Sequence, residues 1–199
     1  MGNRKPEDYL KIQPEAVVET IPAGFSNHVG VSGSLTLTHK DKDGNVKHTE
    51  TMENVITYSG LRYISQVISG VATTPFKYIQ IGTGGRDPHH PLEAVPLPPD
   101  PNNTALVAFY KEGIAVTSTS EVLNNADRGY QAIARYAYTF DFEETVFINE
   151  ACISVDSQIV AGTPILNRRT FYARIMQALD FLEVVWEISF TRYPKDKVS

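Results

Sequence analysis

Between Tyr130 and Phe142 the chain alternates more regularly than anywhere else along its length. Tyr130, Ala132, Ala134, Tyr136, Tyr138, Phe140 and Phe142 fall on one side, with Gln131, Arg135, Thr139 and Asp141 on the other. A period of two is the signature of a strand, whose successive side chains point to opposite faces of a sheet. A strand with one face this aromatic needs a second layer to cover it, which restricts the fold to layered β architectures.

The remaining segments supply that layer. Val184 to Arg192 repeats the alternation, with Val184, Trp186, Ile188 and Phe190 inward and Glu187, Ser189 and Thr191 outward. Ser34-Leu35-Thr36-Leu37-Thr38 and the run from Val46 to Thr51 flank Asp41-Lys42-Asp43-Gly44-Asn45, which predicts a β-hairpin with Asp43-Gly44 at its tip. Further strands are predicted over 76–82, 112–119, 146–155 and 171–175. One helix is predicted near 59–70, capped by Thr57 or Ser59, with Leu61, Ile64, Val67 and Ile68 on one face and Gly70 ending it. The expected fold is mainly β: an antiparallel β-sandwich of about eight strands with one short α-helix and an extended N-terminal arm.

Two segments lie outside this pattern. Residues 1–27 carry Pro6, Pro14 and Pro22 with little periodicity, and Pro22-Ala23-Gly24 is a breaker, so they read as an extended arm preceding a single domain over 28–199. Residues 83–103 contain Pro88, Pro91, Pro96, Pro98, Pro99 and Pro101 and read as a long loop. Arms of this kind are either disordered or ordered by lying on a neighbouring subunit.

The strand Phe76 to Ile81 empties into Gly82-Thr83-Gly84-Gly85, a cluster that could cradle phosphate or turn a corner. It lacks the spaced glycines of a dinucleotide fingerprint and the Gly-Lys-Ser/Thr ending of a P-loop. No helix follows to supply an N-terminal dipole either. Gly82, Gly84 and Gly85 are therefore read as a structural turn, where glycine permits positive φ. Asp41 to Asn45 resembles a fragment of a calcium loop but lacks the later bidentate carboxylate and the flanking helices, leaving a hairpin turn. His89 and His90 are adjacent and point apart. With His28, His39 and His48 they are read as exposed or interface residues, a metal shared between subunits being the alternative. Asp141, Glu143 and Glu144 read as solvated turn charges rather than a hydrolytic pair, and Cys152 as a buried small residue without a His–carboxylate partner set.

Composition narrows the function classes. With 199 residues and a formal net charge of −5, the chain lacks the basic excess that nucleic-acid binding draws on. A single cysteine excludes an internal disulfide and a cysteine metal cluster. No secretory signal or membrane span is predicted, so assembly in a cytoplasm is expected. No catalytic residue, cofactor, metal or small-molecule ligand is predicted.

The order of several segments resembles a known group. Asn54-Val55-Ile56-Thr57-Tyr58-Ser59-Gly60-Leu61 is followed by Ile81-Gly82-Thr83-Gly84. Asn103-Thr104-Ala105-Leu106 comes next with Glu112 shortly after. Then come Ile148-Asn149-Glu150-Ala151-Cys152-Ile153, Phe171-Tyr172-Ala173-Arg174, and a closing Val184-Val185-Trp186-Glu187-Ile188-Ser189-Phe190. This series resembles virion structural proteins of tailed bacteriophages, of the tail, collar and fibre-attachment type, over residues 54–192. The resemblance implies a non-enzymatic subunit located in the virion, with a homo-oligomer and other virion proteins as partners and neither nucleic acid nor membrane. Pro14, Pro22, Arg86, His89, His90 and Pro98 are the expected assembly contacts. The alternatives are a capsid decoration or cement protein, separable by copy number per particle, and a carbohydrate- or receptor-binding module. The latter would need an exposed patch drawn from Tyr58, Tyr63, Tyr110, Tyr172 or Trp186.

Overall fold

A computed structural model describes residues 29–84, 106, 108–124, 129–157 and 163–192. The arm residues Pro14 and Pro22, the loop residues Gly85, Arg86, His89, His90 and Pro98, and His28 lie outside the described residues. Ten strands and one helix follow one another as β1 (Val29–Lys40), β2 (Val46–Glu53), β3 (Val55–Ile56), α1 (Tyr58–Ile68), β4 (Tyr78–Gly82), β5 (Phe109–Ile114), β6 (Val116–Asn124), β7 (Gly129–Asp141), β8 (Val146–Ser154), β9 (Ile165–Met176) and β10 (Phe181–Arg192). They form two five-stranded sheets, ordered β2-β1-β10-β7-β6 and β3-β9-β8-β4-β5, and every pairing is antiparallel. The fold is a β-sandwich, as the alternation predicts.

The count exceeds the eight strands expected because the 112–119 run is two strands. The chain leaves β5 on one sheet and enters β6 on the other at Ala115, which is buried. The short β3 adds the second extra strand, pairing Val55 with Arg168 of β9.

The core lies between the sheets. From β10 it takes Leu182, Val184, Trp186 and Ile188, from β7 and its end Phe140 and Phe142, and from β1 Leu35 and Leu37. The second sheet contributes Ile79, Ile81, Ile148, Ala151 and Ile153. Burial of one Leu- or Phe-sized side chain contributes about 1.5–3 kcal/mol, so this layer outweighs every local preference in the chain. Trp186 is fully buried, as its place in the alternation requires. In the aromatic ladder Phe140 and Phe142 are fully buried, whereas Tyr136 and Tyr138 pack against the core from its margin.

The hairpin tip is held by Asp41, whose Oδ1 accepts the backbone N–H groups of Asp43 and Asn45, each at 2.9 Å. That carboxylate closes its own turn, as the hairpin reading expects. Helix α1 begins at Thr57, whose Oγ1 accepts the Gly60 N–H at 2.9 Å, and its C-cap is Ser69, followed by Gly70. Gly60 lets the helix lie directly on β9, since a Cβ there would sit 2.6 Å from the Leu166 carbonyl oxygen. The apolar face of α1 is only partly used by this contact: Ile64 packs against the core, while Leu61, Val67 and Ile68 remain exposed.

Candidate functional site

The middle of the second sheet's outer face carries buried polar side chains, an arrangement that needs a partner for each group. Register sets who meets whom. Gly82 of β4 lies opposite Glu150 of β8, Gln80 opposite Cys152, and Cys152 in turn opposite Arg168 of β9. Glu150 and Arg168 have side-chain exposures of 0% and 4%, and an Arg168 Nη2–H donates to Glu150 Oε2 at 2.7 Å. The other carboxylate oxygen, Oε1, accepts the backbone N–H of Gly84 at 3.1 Å and that of Ala108 at 2.9 Å. Gly84 and Ala108 flank the connection between β4 and β5, so one buried carboxylate holds both of its ends. The Thr83 N–H donates to the Ala108 carbonyl at 2.8 Å and closes the stem.

This geometry explains the glycine after Ile81 and corrects its expected role. Positive φ among the described glycines occurs at Gly44 and Gly70, not at Gly82 or Gly84. Gly82 is the last residue of β4 and is needed for space. A Cβ at 82 would stand 2.4 Å from the Ala108 carbonyl oxygen and 2.7 Å from Glu150 Oε1. The corner is a close approach of strand, returning chain and carboxylate.

A second polar residue on the same face acts on a different connection. The Gln80 amide nitrogen donates to Ser154 Oγ at 3.0 Å and to the carbonyls of Asp156 and Ser157 at 2.9 and 3.2 Å, fixing the exit from β8. Cys152 sits between Gln80 and Arg168 and is fully buried. Burial, assisted by the Glu150 charge, pushes its thiol far above the ordinary range against the pull of Arg168, so it stays a protonated, inert sulfhydryl.

A further buried polar cluster, not foreseen from the sequence, lies at the Lys40–Phe181 end of the first sheet. His39, expected on the surface or at an interface, is 9% exposed, and its Nε2 lies 2.7 Å from Asp180 Oδ2. Asp180 also takes Lys47 at 2.9 Å and the backbone N–H of Gln177 at 3.0 Å. Burial works to raise the Asp180 carboxyl, yet the Gln177 N–H, Lys47 and His39 outweigh it and hold the pKa down to about 2. The signal available in the sequence was weak, because His39 and Asp180 are 141 residues apart. This cluster joins β1, β2 and the β9–β10 turn.

Of the tyrosines considered for an aromatic platform, Tyr63 donates its hydroxyl to the Thr74 carbonyl and packs edge-on against Phe76. Tyr110 stacks on Phe142, and only Tyr58 and Tyr172 of the five candidates are exposed. Asp141 is exposed and accepts a hydrogen bond from Lys111 at 2.7 Å, in keeping with a solvated turn charge. No group of three or more metal-ligating side chains occurs among the described residues.

No family model matches the chain, and no curated protein and no solved structure matches it.

Proposed function

We propose that this chain is a non-enzymatic structural subunit of a tailed-bacteriophage particle, at the tail, collar or neck, joining its neighbours through the N-terminal arm and the segment between β4 and β5. The observation that carries this reading is the Glu150–Arg168 pair and what it holds. A buried ion pair adds little net stability compared with apolar residues of similar volume. Here its carboxylate is aimed at the two backbone N–H groups that flank a connection of twenty-three residues, 85–107. A sandwich with a fixed loop base suits a subunit whose contacts must be presented at a set position, because every residue already held at the base is one fewer to order on contact. The family-like series of segments runs through the same elements: Ile81 to Gly84 forms the stem, Asn149-Glu150-Ala151 carries the clamp, and Val184 to Phe190 forms the central strand of the opposite sheet.

The test replaces residues 86–103 by a short Gly-Ser linker and follows entry of the tagged chain into particles. The variant is expected to fold, to stay soluble and to be absent from purified particles. Incorporation at the wild-type level would overturn the reading.

A further inference from the structure

Among the described residues, the first sheet has an incomplete edge. β2 pairs with β1 only from Ser34, opposite Glu53, to Lys40. At Asn54 the chain turns away, donates one N–H to the Gly33 carbonyl at 3.1 Å, and enters β3 on the other sheet. The β2 side of residues 29–32 therefore has no pairing strand among the described residues, although their other side is fully registered with β10. Since Gly33 faces its carbonyl to this side, the alternation of an antiparallel ladder turns the N–H and C=O of Val31 the same way. An unpaired edge of this kind is a template for strand addition.

The edge opens into a cavity of about 760 Å³ bounded by Val31, Ser32, Asn54, Ile56, Leu61 and Glu187, among others. Val31 and Ile56 also pack on the core, so an occupant would extend the hydrophobic layer. Leu61, exposed on α1, adds an apolar side chain to the cavity wall. At the floor, both polar atoms of the Asn54 side-chain amide are shielded from solvent without a hydrogen-bond partner. A buried amide lacking partners is destabilising, and an incoming backbone can satisfy it.

The chain itself carries a segment that fits. Twenty-eight residues precede Val29, the first residue of the open edge. Within them Glu15-Ala16-Val17-Val18-Glu19-Thr20-Ile21 is rich in β-branched residues and is bracketed by Pro14 and Pro22. Proline cannot donate to a ladder, so the two prolines delimit one insertable strand. Seven residues are enough to span the open edge.

We infer that residues 15–21 of a neighbouring copy add to the open edge of β1 as an extra strand, with Val17 or Val18 entering the cavity beside Val31, Ile56 and Leu61. This rests on the assembly reading above and names the surface that receives the arm.

The test uses the full-length chain in two forms that each add one cysteine, Val18→Cys and Ser32→Cys, with Cys152 left in place because it is fully buried. Mixed and oxidised with diamide, the pair is expected to give a disulfide-linked heterodimer at least tenfold above a control pair of Val18→Cys with Ser118→Cys, which is exposed on the far edge strand β6. Equal yields from both pairs, or closure of a Val18→Cys/Ser32→Cys double variant within one chain and no heterodimer, would overturn the inference. Analytical ultracentrifugation of the same samples separates the two levels of claim. Oligomers without the 18–32 cross-link refute the groove alone, whereas a monomer at every concentration also removes support for arm-mediated assembly.

Discussion

Replacing Glu150 by glutamine keeps the shape of the side chain and removes its charge. In wild type that charge faces Arg168 at 2.7 Å with side-chain exposures of 0% and 4%, so water screens neither group. Surface ion pairs are worth about 0–1 kcal/mol, but removing one partner of a buried pair costs about 3–5 kcal/mol, because the other charge is stranded. Glu150→Gln can still offer one oxygen to Gly84 and Ala108, so the backbone clamp is largely retained and the expected loss is about 3 kcal/mol. Glu150→Ala also strands the two N–H donors and should cost more, by about 1–3 kcal/mol. Arg168→Met alone leaves a buried carboxylate and should cost a similar amount to Glu150→Gln. The double variant Glu150→Gln/Arg168→Met no longer has a charge to strand and should recover at least about 2 kcal/mol relative to the sum of the singles. Urea denaturation at neutral pH measures all four, and hydrogen exchange at the Gly84 and Ala108 amides reports the clamp directly. Additive single losses, or a loss below about 1 kcal/mol for Glu150→Gln, would refute the argument that this pair is the brace of the loop stem.

Three further outcomes follow from the same geometry. Gly82→Ala places a methyl 2.4 Å from the Ala108 carbonyl, within a backbone contact that cannot swing aside. It should destabilise by about 2–3 kcal/mol, the upper range for overpacking, and weaken protection of the Ala108 amide in exchange. Asp180 has its pKa held down to about 2 from 3.8, so the stability it contributes is present above about pH 4 and is lost as pH falls through 2. Denaturation midpoints taken from pH 5 to 2 should fall more steeply for wild type than for Asp180→Asn, which is destabilised at neutral pH and has lost this part of the acid slope. Leu179 is exposed and sits at φ 70°, a left-handed conformation that disfavours branched side chains. Leu179→Gly should raise stability by about 1 kcal/mol in thermal or urea unfolding.

What could be read in the sequence followed from which faces meet water. β7 and β10 have one face on the core and one outside it, so Phe140, Phe142, Val184 and Trp186 stood out by period alone. β8 gave no such contrast, because from Ile148 to Ser154 every residue is buried and a bulge between Ile148 and Glu150 shifts its register. Glu150 was visible only as one letter in a family-like motif, and its role depends on Arg168, Gly84 and Ala108, which no short-range pattern connects. The crossing at Ala115 was illegible for a different reason. Gly113, the one candidate break, is small because the Tyr138 ring lies where a Cβ would be, 2.2 Å away, and no turn residue marks the change of sheet. The helix face was read correctly as apolar, but periodicity could not say how much of it β9 would cover.

Electron microscopy of assembled particles that carry this chain tests the central claim most directly. Such particles should show a closed ring of the sandwich at the tail, collar or neck, in about a dozen copies or fewer as cyclic assembly implies, with the stem at Gly82–Gly84 directed at an adjoining subunit. Particles that lack the chain, or density in which that stem faces open solvent with no neighbour, would contradict it.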